Sequence, residues 1–239
     1  MSADEIPRKS TVLVVGANSA IGIAVVRQLL NNGDVVIATH CKSNPDFYTD
    51  GLKWVHLDLT CKNSIETFTK GLAKSKTQID AAIFVSGVLP GKSLANYSHK
   101  EMNTVMEVNF LGQAKCVQAL LPLLNSPSQI LMVSSVSGER GSYDPLYAAS
   151  KGAIIAFVKS LATLLPPQVR CMAIAPGLVK ESGMYDAMDA EVQQAHLDRS
   201  PLKKLITAED LAKIVLDLTK SHWIHANGSC IRINGGAYV

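Results

Sequence analysis

Tyr147 and Lys151 stand four residues apart in "YAASK", at the head of an apolar segment with helical period, so their side chains leave one helix face about a turn apart. A phenol with a reference pKa of about 10 is a poor acid–base group at neutral pH, and a neighbouring ammonium favours its phenolate. The spacing therefore predicts a Tyr147 tuned downward by Lys151 and able to give or take a proton. Ser134 and Ser135, in "SSVSG", close the strand-like run before that helix, at the sheet edge where open α/β folds bind ligands.

A second stretch, "VLVVGANSAIGIA" over 12–24, has the form of a dinucleotide-binding turn. A β-branched run ends at Gly16 and a helix is expected from near Ala20, which aims backbone N–H groups and a helix N-terminus at one spot and favours a pyrophosphate there. Gly16 permits the tight turn and Gly22 close helix packing, with Asn18, Ser19, Ala20 and Ile21 between them; Ala20 stands where such turns usually carry a middle glycine. After the second strand, "VVIATHCKSN" has no acid for a ribose 2′-hydroxyl but offers His40, Lys42 and Ser43. The missing acid removes repulsion of a 2′-phosphate, so NADP(H) is favoured over NAD(H); a solvated loop lysine is the alternative reading of Lys42.

The elements that must hold these residues are legible as an alternation of Val/Ile-rich runs near 11–15, 34–39, 53–57, 80–85, 129–134, 169–174 and 230–233 with helices starting near 20, 63, 98, 146 and 207. That alternation predicts a parallel sheet with helices on both faces, in one domain over 1–239, with a flexible tail over 1–9. Pro166 and Pro167 are expected to stop the helix from 146. The aperiodic segment 178–206 is expected to be a substrate-binding lid, with "AEVQQAHLDR" as a short helix in it.

With 23 Lys and Arg against 20 Asp and Glu, formal charge is only +3 and no basic stripe is present, so no nucleic-acid partner is expected. No apolar run is long enough to span a bilayer, and the first ten residues are charged rather than signal-like, which predicts a soluble, cytoplasmic protein without a membrane partner. The five cysteines are scattered with no zinc-like spacing, and no metal site is expected.

The ordered motifs resemble the short-chain dehydrogenase/reductase family over nearly the whole chain. "YAASK" fits its YxxxK pattern, "SSVSG" its serine segment, "MEVNFLG" its asparagine helix, "LDL" at 57–59 its adenine-pocket motif, "IAPG" at 174–177 the end of its sixth strand, and "RINGG" its closing turn. The resemblance implies a Rossmann-type doubly wound, mostly parallel seven-stranded sheet and a ketone/secondary-alcohol oxidoreductase. It implies that Tyr147 exchanges the proton with the substrate oxygen, that Lys151 holds the nicotinamide ribose and lowers the Tyr147 pKa, that Ser135 binds the carbonyl oxygen, and that Asn109 positions a relay water. Asp58 and Leu59 would border the adenine, and Ser86, Gly87, Pro176, Gly177 and Val179 would lie along the cofactor. The cofactor would carry the hydride while the protein orients it and supplies the proton.

Several positions depart from the family pattern. "FVSG" at 84–87 replaces NNAG, so Phe84 and Val85 stand for asparagines; Val15 replaces a threonine, and Ala20 the middle glycine. Glu181 occupies the usual place of a threonine that holds the nicotinamide carboxamide, with Ser182 as the other candidate. These changes motivate the rival reading, an SDR-fold nucleotide-binding sensor or scaffold without catalysis. The intact serine, tyrosine and lysine set argues for an enzyme. The nearest familiar class is 3-oxoacyl-carrier-protein reductase, but the nearly uncharged "LLPLLNSPSQI" and "SLATLLPPQV" disfavour docking to an acidic carrier protein. A small carbonyl or alcohol is the expected substrate. The apolar outer faces of helices read over 101–124 and 146–165 predict a homodimer or homotetramer.

Overall fold

Runs of β-branched residues bounded by glycine and capping residues become the strands of a parallel sheet in the computed structural model, which describes residues 9–165 and 167–238. The expected tail, apart from residue 9, and Pro166 lie outside the described residues. The central strands are β1 (Thr11–Val15), β2 (Val35–His40), β3 (Leu52–His56), β4 (Ile79–Phe84), β5 (Leu124–Val133) and β6 (Val169–Pro176). Two short strands, β7 (Val179–Lys180) and β8 (Ile206–Thr207), pair with each other, and β9 (Cys230–Ile233) closes the main sheet. Its order is β3-β2-β1-β4-β5-β6-β9 with every pairing parallel. This is the expected Rossmann-type sheet.

Alternate residues of each strand face opposite cores. Val12, Val14, Ile83 and Met172 pack under α1 (Ala20–Asn31) and, through Leu211 and Val215, under the last helix, Ala208–Leu218. Leu13, Val15, Phe84 and Met132 face Ile65 and Phe68 of α2 (Lys62–Lys74) and the side chains of the later helices. Because both faces are covered, the strands read as nearly unbroken apolar runs.

The long helix expected over 101–124 is broken. It comprises α3 (His99–Met106), a five-residue π turn (Glu107–Leu111), α4 (Gly112–Leu120) and a 3-10 turn (Leu121–Leu123), after which β5 begins. Gly112 lies so close to the loop after β3 that a Cβ there would come within 2.8 Å of the Leu59 Cβ. Pro122, lacking an amide donor, sits in the terminal 3-10 turn. Beyond β5 lie a four-residue helix α5 (Ser137–Arg140) and the 20-residue α6 (Pro145–Leu164). The segment read as a lid holds α7 (Gly183–Asp186) and α8 (Ala190–Arg199), the latter coinciding with "AEVQQAHLDR"; α9 (Ala208–Leu218) follows β8. Among the described residues no helix is long and apolar enough to cross a membrane.

Candidate active site

The order of the sheet reverses between β1 and β4, and in open parallel sheets that switch point opens a crevice at the strands' carboxyl ends. The turn after β1 lies there. Gly16 has φ +84°, and a Cβ on it would lie 2.8 Å from both the Cα and the N of Ser86, so this backbone crossing tolerates no side chain. Its amide donates to Thr39 Oγ1 at 3.0 Å. Ser19 caps α1: its hydroxyl accepts from Gly22 N at 3.1 Å and donates to Gly16 O at 3.0 Å. Gly22 meets the turn closely as well, since a Cβ would come 2.6 Å from Ala17 Cα. Asn18 donates through Nδ2 to Ser43 Oγ at 2.9 Å, and His40 Nδ1 pairs with Ser43 O at 3.1 Å, fixing the loop after β2 beside the turn.

A groove of about 900 Å³ runs along this edge. It brings together Gly16, Asn18, Ser19, His40, Lys42, Ser43, Asp58, Leu59, Ser86 and Gly87 of the sequence-derived set. Such a volume suits an extended dinucleotide, and a glycine turn, a helix N-terminus and an exposed lysine are the donor set a pyrophosphate and a further phosphate need. Asp58 Oδ1 accepts from Thr60 N and Thr60 Oγ1 at 2.8 and 2.7 Å, which shapes the wall at the far end. Ala20, Ile21 and Gly22 stand behind the groove in the first turn of α1, while Pro176, Gly177 and Val179 do not line it; Gly177 lines a separate hole of about 20 Å³ with His196, Ser200 and Tyr238. With the amides of the turn unchanged, Ala20→Gly should alter NADPH affinity by less than about threefold in a fluorescence titration, since one methyl group is at stake. A tenfold gain would show that the methyl group excludes the cofactor.

Gly87 joins the groove to the catalytic end, because a Cβ there would lie 3.2 Å from Lys151 Nζ. Tyr147 and Lys151 are both buried on α6, with Lys151 Nζ 5.9 Å from the centre of the Tyr147 ring. The ammonium donates to Val133 O at 2.8 Å, and burial pulls its pKa down to about 8. Ser135, two residues past β5, stands close enough to the Tyr147 phenol to act on it and accepts from Ser137 N at 3.1 Å. Ser134 instead donates to Lys151 O at 2.8 Å, a helix-to-strand tie that leaves Ser135 as the serine facing the phenol.

The expected lowering of the Tyr147 pKa is corrected. Burial is the largest influence and pushes the phenol up; the nearby Ser135 hydroxyl acts downward, and the negative charge of Asp144 acts upward. Lys151 does not reverse the sign, since its Nζ is turned to the Val133 carbonyl and its own charge is disfavoured by burial.

Asn109 sits in the π turn, fully buried, and its amide is committed to protein. Oδ1 accepts from Val88 N at 2.8 Å, while Nδ2 donates to Val88 O and Ser150 Oγ, each at 3.0 Å. Both amide hydrogens thereby clamp the loop after β4 to α6. Of the two candidates for the nicotinamide amide, Glu181 is exposed with φ +62°, and Ser182 Oγ donates to Val179 O at 2.7 Å and caps α7.

Other residues of the site carried weak sequence signals or none. Thr39, Lys100, Asn103 and Thr104 line the groove, and Met184 of α7 reaches the catalytic centre, its Sδ 4.0 Å from the Tyr147 hydroxyl. Asp144, the N-cap of α6, did carry one, since a capping Asp before Pro145 at the first helical position is a helix-start signature.

Comparison with known proteins adds an independent line. A family model described as enoyl-(acyl carrier protein) reductase matches residues 16–238. The chain is 28% identical over 243 residues to a 3-oxoacyl-(acyl-carrier-protein) reductase, FabG, of Buchnera aphidicola subsp. Baizongia pistaciae, covering 97% of this chain and 98% of the relative. It is 26% identical over 230 residues to the 3-oxoacyl-(acyl-carrier-protein) reductase MabA of Mycobacterium tuberculosis, covering 95% and 92%. Among solved structures, a short chain dehydrogenase family protein from Francisella tularensis superposes with a TM-score of 0.88 at 24% identity, covering 96% of this chain and 99% of that one. The ligand-free aldohexose dehydrogenase of Thermoplasma acidophilum gives 0.87 at 20% identity, covering 96% and 94%.

Proposed function

Since the chain belongs to the short-chain dehydrogenase/reductase family of oxidoreductases, we propose that it interconverts a ketone and a secondary alcohol with NADP(H), using Tyr147 as the proton donor and acceptor. The observation that carries this reading is the placement of Tyr147 and Lys151 side by side on α6, with Lys151 Nζ against Gly87 of the groove wall and Ser135 beside the phenol. When bound, the nicotinamide supplies or takes up the hydride.

Every other part falls to the chain's own residues. The turn at Gly16 and the first turn of α1 hold the pyrophosphate, Lys42 and Ser43 the 2′-phosphate, and Asp58 and Leu59 the adenine. One of the three donors of Lys151 goes to Val133 O, leaving two for ribose hydroxyls. The hydroxyls of Ser135 and Tyr147 receive the carbonyl oxygen, and Tyr147 releases its proton as charge grows there. Burial keeps the phenol protonated until that moment, which suits reduction. The substrate oxygen takes the hydrogen bond that the Met184 sulfur now receives, so α7 acts as part of the lid over 178–206.

The substrate is a small ketone, and the 3-oxoacyl group named for the relatives above is the first class to test. Two copies pair through the outer faces of α4 and α6, where Leu121, in the turn after α4, and Leu164 of α6 are exposed. Purified protein with NADPH and a panel of ketones tests the reading, with Lys42→Glu as a probe of the cofactor. Lys42→Glu places a like charge beside a phosphate, and kcat/KM for NADPH should fall by about 10–100-fold while that for NADH changes far less. Equal losses with both cofactors would remove Lys42 from the 2′-phosphate site, and a panel without turnover would overturn the reductase reading.

A further inference from the structure

The carboxylate of Asp144 is 2% exposed, yet no Lys or Arg side chain is paired with it among the described residues. Four donors converge on it instead. Oδ1 accepts from Tyr147 N at 2.9 Å, Oδ2 from Gly91 N at 3.0 Å and Lys92 N at 3.3 Å, and the Tyr97 hydroxyl donates at 2.7 Å to either oxygen. Four donors and no acceptor match the lone pairs of a carboxylate, which also caps the N-terminus of α6.

These partners belong to two pieces of the site. Tyr147 N lies in the first turn of α6, and Gly91, Lys92 and Tyr97 belong to the loop between β4 and α3, the loop whose Gly87 lies against Lys151 Nζ. Asn109 grips the same loop at Val88 and ties it to Ser150 on α6. Asp144 is the second grip, one turn nearer the phenol. Tyr97 precedes the Ser98 cap of α3, so the clamp extends to the start of that helix.

We propose that Asp144 is a positioning residue for the reaction: its buried carboxylate locks the head of α6 to the loop between β4 and α3 and so sets where the Tyr147 hydroxyl stands against Ser135 and Lys151. The proposal rests on the reading of Tyr147 as the proton donor. Its charge has a second consequence. The groups facing Tyr147 are Lys151 on its own helix, Ser135 from the end of β5, Met184 from α7 and Asp144 at the cap. Of these Asp144 is the one negative charge, and it holds the phenol toward its protonated form. Burial dominates that shift, and Asp144 adds to it in the same direction.

Asp144→Asn and Tyr97→Phe test the clamp. Asparagine still caps a helix, so α6 and the fold survive, but its NH₂ group replaces an acceptor and the charge is gone. Three readouts separate positioning from bulk stability: kcat and KM with NADPH and a ketone, amide hydrogen exchange at Gly91 and Lys92, and NMR titration of ring-labelled Tyr147. For Asp144→Asn, kcat falls by about 10–100-fold, the scale of an ångström-sized misplacement, with KM for NADPH within about threefold of wild type. Exchange at Gly91 and Lys92 accelerates, and the Tyr147 titration moves to lower pH. Tyr97→Phe keeps the charge, so exchange at Gly91 and Lys92 accelerates without a downward move of Tyr147. Unchanged exchange with wild-type kcat in Asp144→Asn overturns the proposal, and so does an unmoved Tyr147 titration. Should Asp144→Asn fail to fold, unchanged exchange at Gly91 and Lys92 in Tyr97→Phe overturns it. A wild-type protein that reduces no ketone overturns the reductase reading instead, and the exchange and titration results then still decide whether Asp144 holds Tyr147.

Discussion

Tyr147→Phe should lower kcat for ketone reduction by about 10²–10⁴-fold, the usual contribution of a positioned general acid, and leave the dissociation constant of NADPH within about threefold. The expected size follows from the surroundings of the hydroxyl. In the proposed reaction it is the proton donor, beside Ser135, and burial keeps bulk water from replacing it. Phenylalanine retains the buried ring near Lys151 and loses only the hydroxyl that reaches Met184, so the groove keeps its form. Steady-state kinetics and cofactor titration on the same preparation measure both quantities. Loss of cofactor affinity in step with kcat would place the tyrosine in binding rather than in proton transfer.

Lys151→Met carries the second large effect. The proposed ribose contacts and the positive charge beside Tyr147 vanish together, and kcat/KM should fall by at least about 10²-fold. Stability should respond far less. The folded-state pKa of Lys151 is depressed to about 8 from 10.5, so at neutral pH the folded chain bears the cost of a buried ammonium that the unfolded chain avoids. That cost is fully present below pH 8 and is relieved as pH rises from about 8 toward 10.5. Methionine removes it and leaves Val133 O without its donor, an opposing loss of about 1–3 kcal/mol. The two nearly cancel, and Tm at pH 7 should change by no more than about 4 °C. The same depressed value gives the wild-type enzyme an alkaline limb: reduction should weaken as pH rises through about 8, when the ammonium is lost. A pH–rate profile flat from pH 7 to pH 10 would contradict that assignment.

The sheet was legible because its central strands are apolar, Val- and Ile-rich runs buried on both faces, and because Ser19 and Asp144–Pro145 mark helix starts in the local sequence. The glycine turn was legible for a similar reason: Gly16 is the residue type that φ +84° demands. What escaped depends on partners distant in the chain. Tyr97 meets Asp144 across 47 residues, and Met184 reaches Tyr147 from a segment without any period. The π turn around Asn109 leaves no compositional mark, because the widened backbone is set by the Val88 and Ser150 contacts that the amide makes. The sign of the Tyr147 shift was misread because sequence shows a lysine four residues away and hides the burial that outweighs it.

Transfer of deuterium from NADPH labelled at the nicotinamide C4 to a ketone substrate tests the central claim most directly. The account predicts deuterium on the carbinol carbon of the alcohol formed by the wild-type enzyme, and transfer slowed by about 10²–10⁴-fold in Tyr147→Phe. Binding of NADPH with no label transfer to any ketone, or transfer at an undiminished rate in Tyr147→Phe, would contradict it.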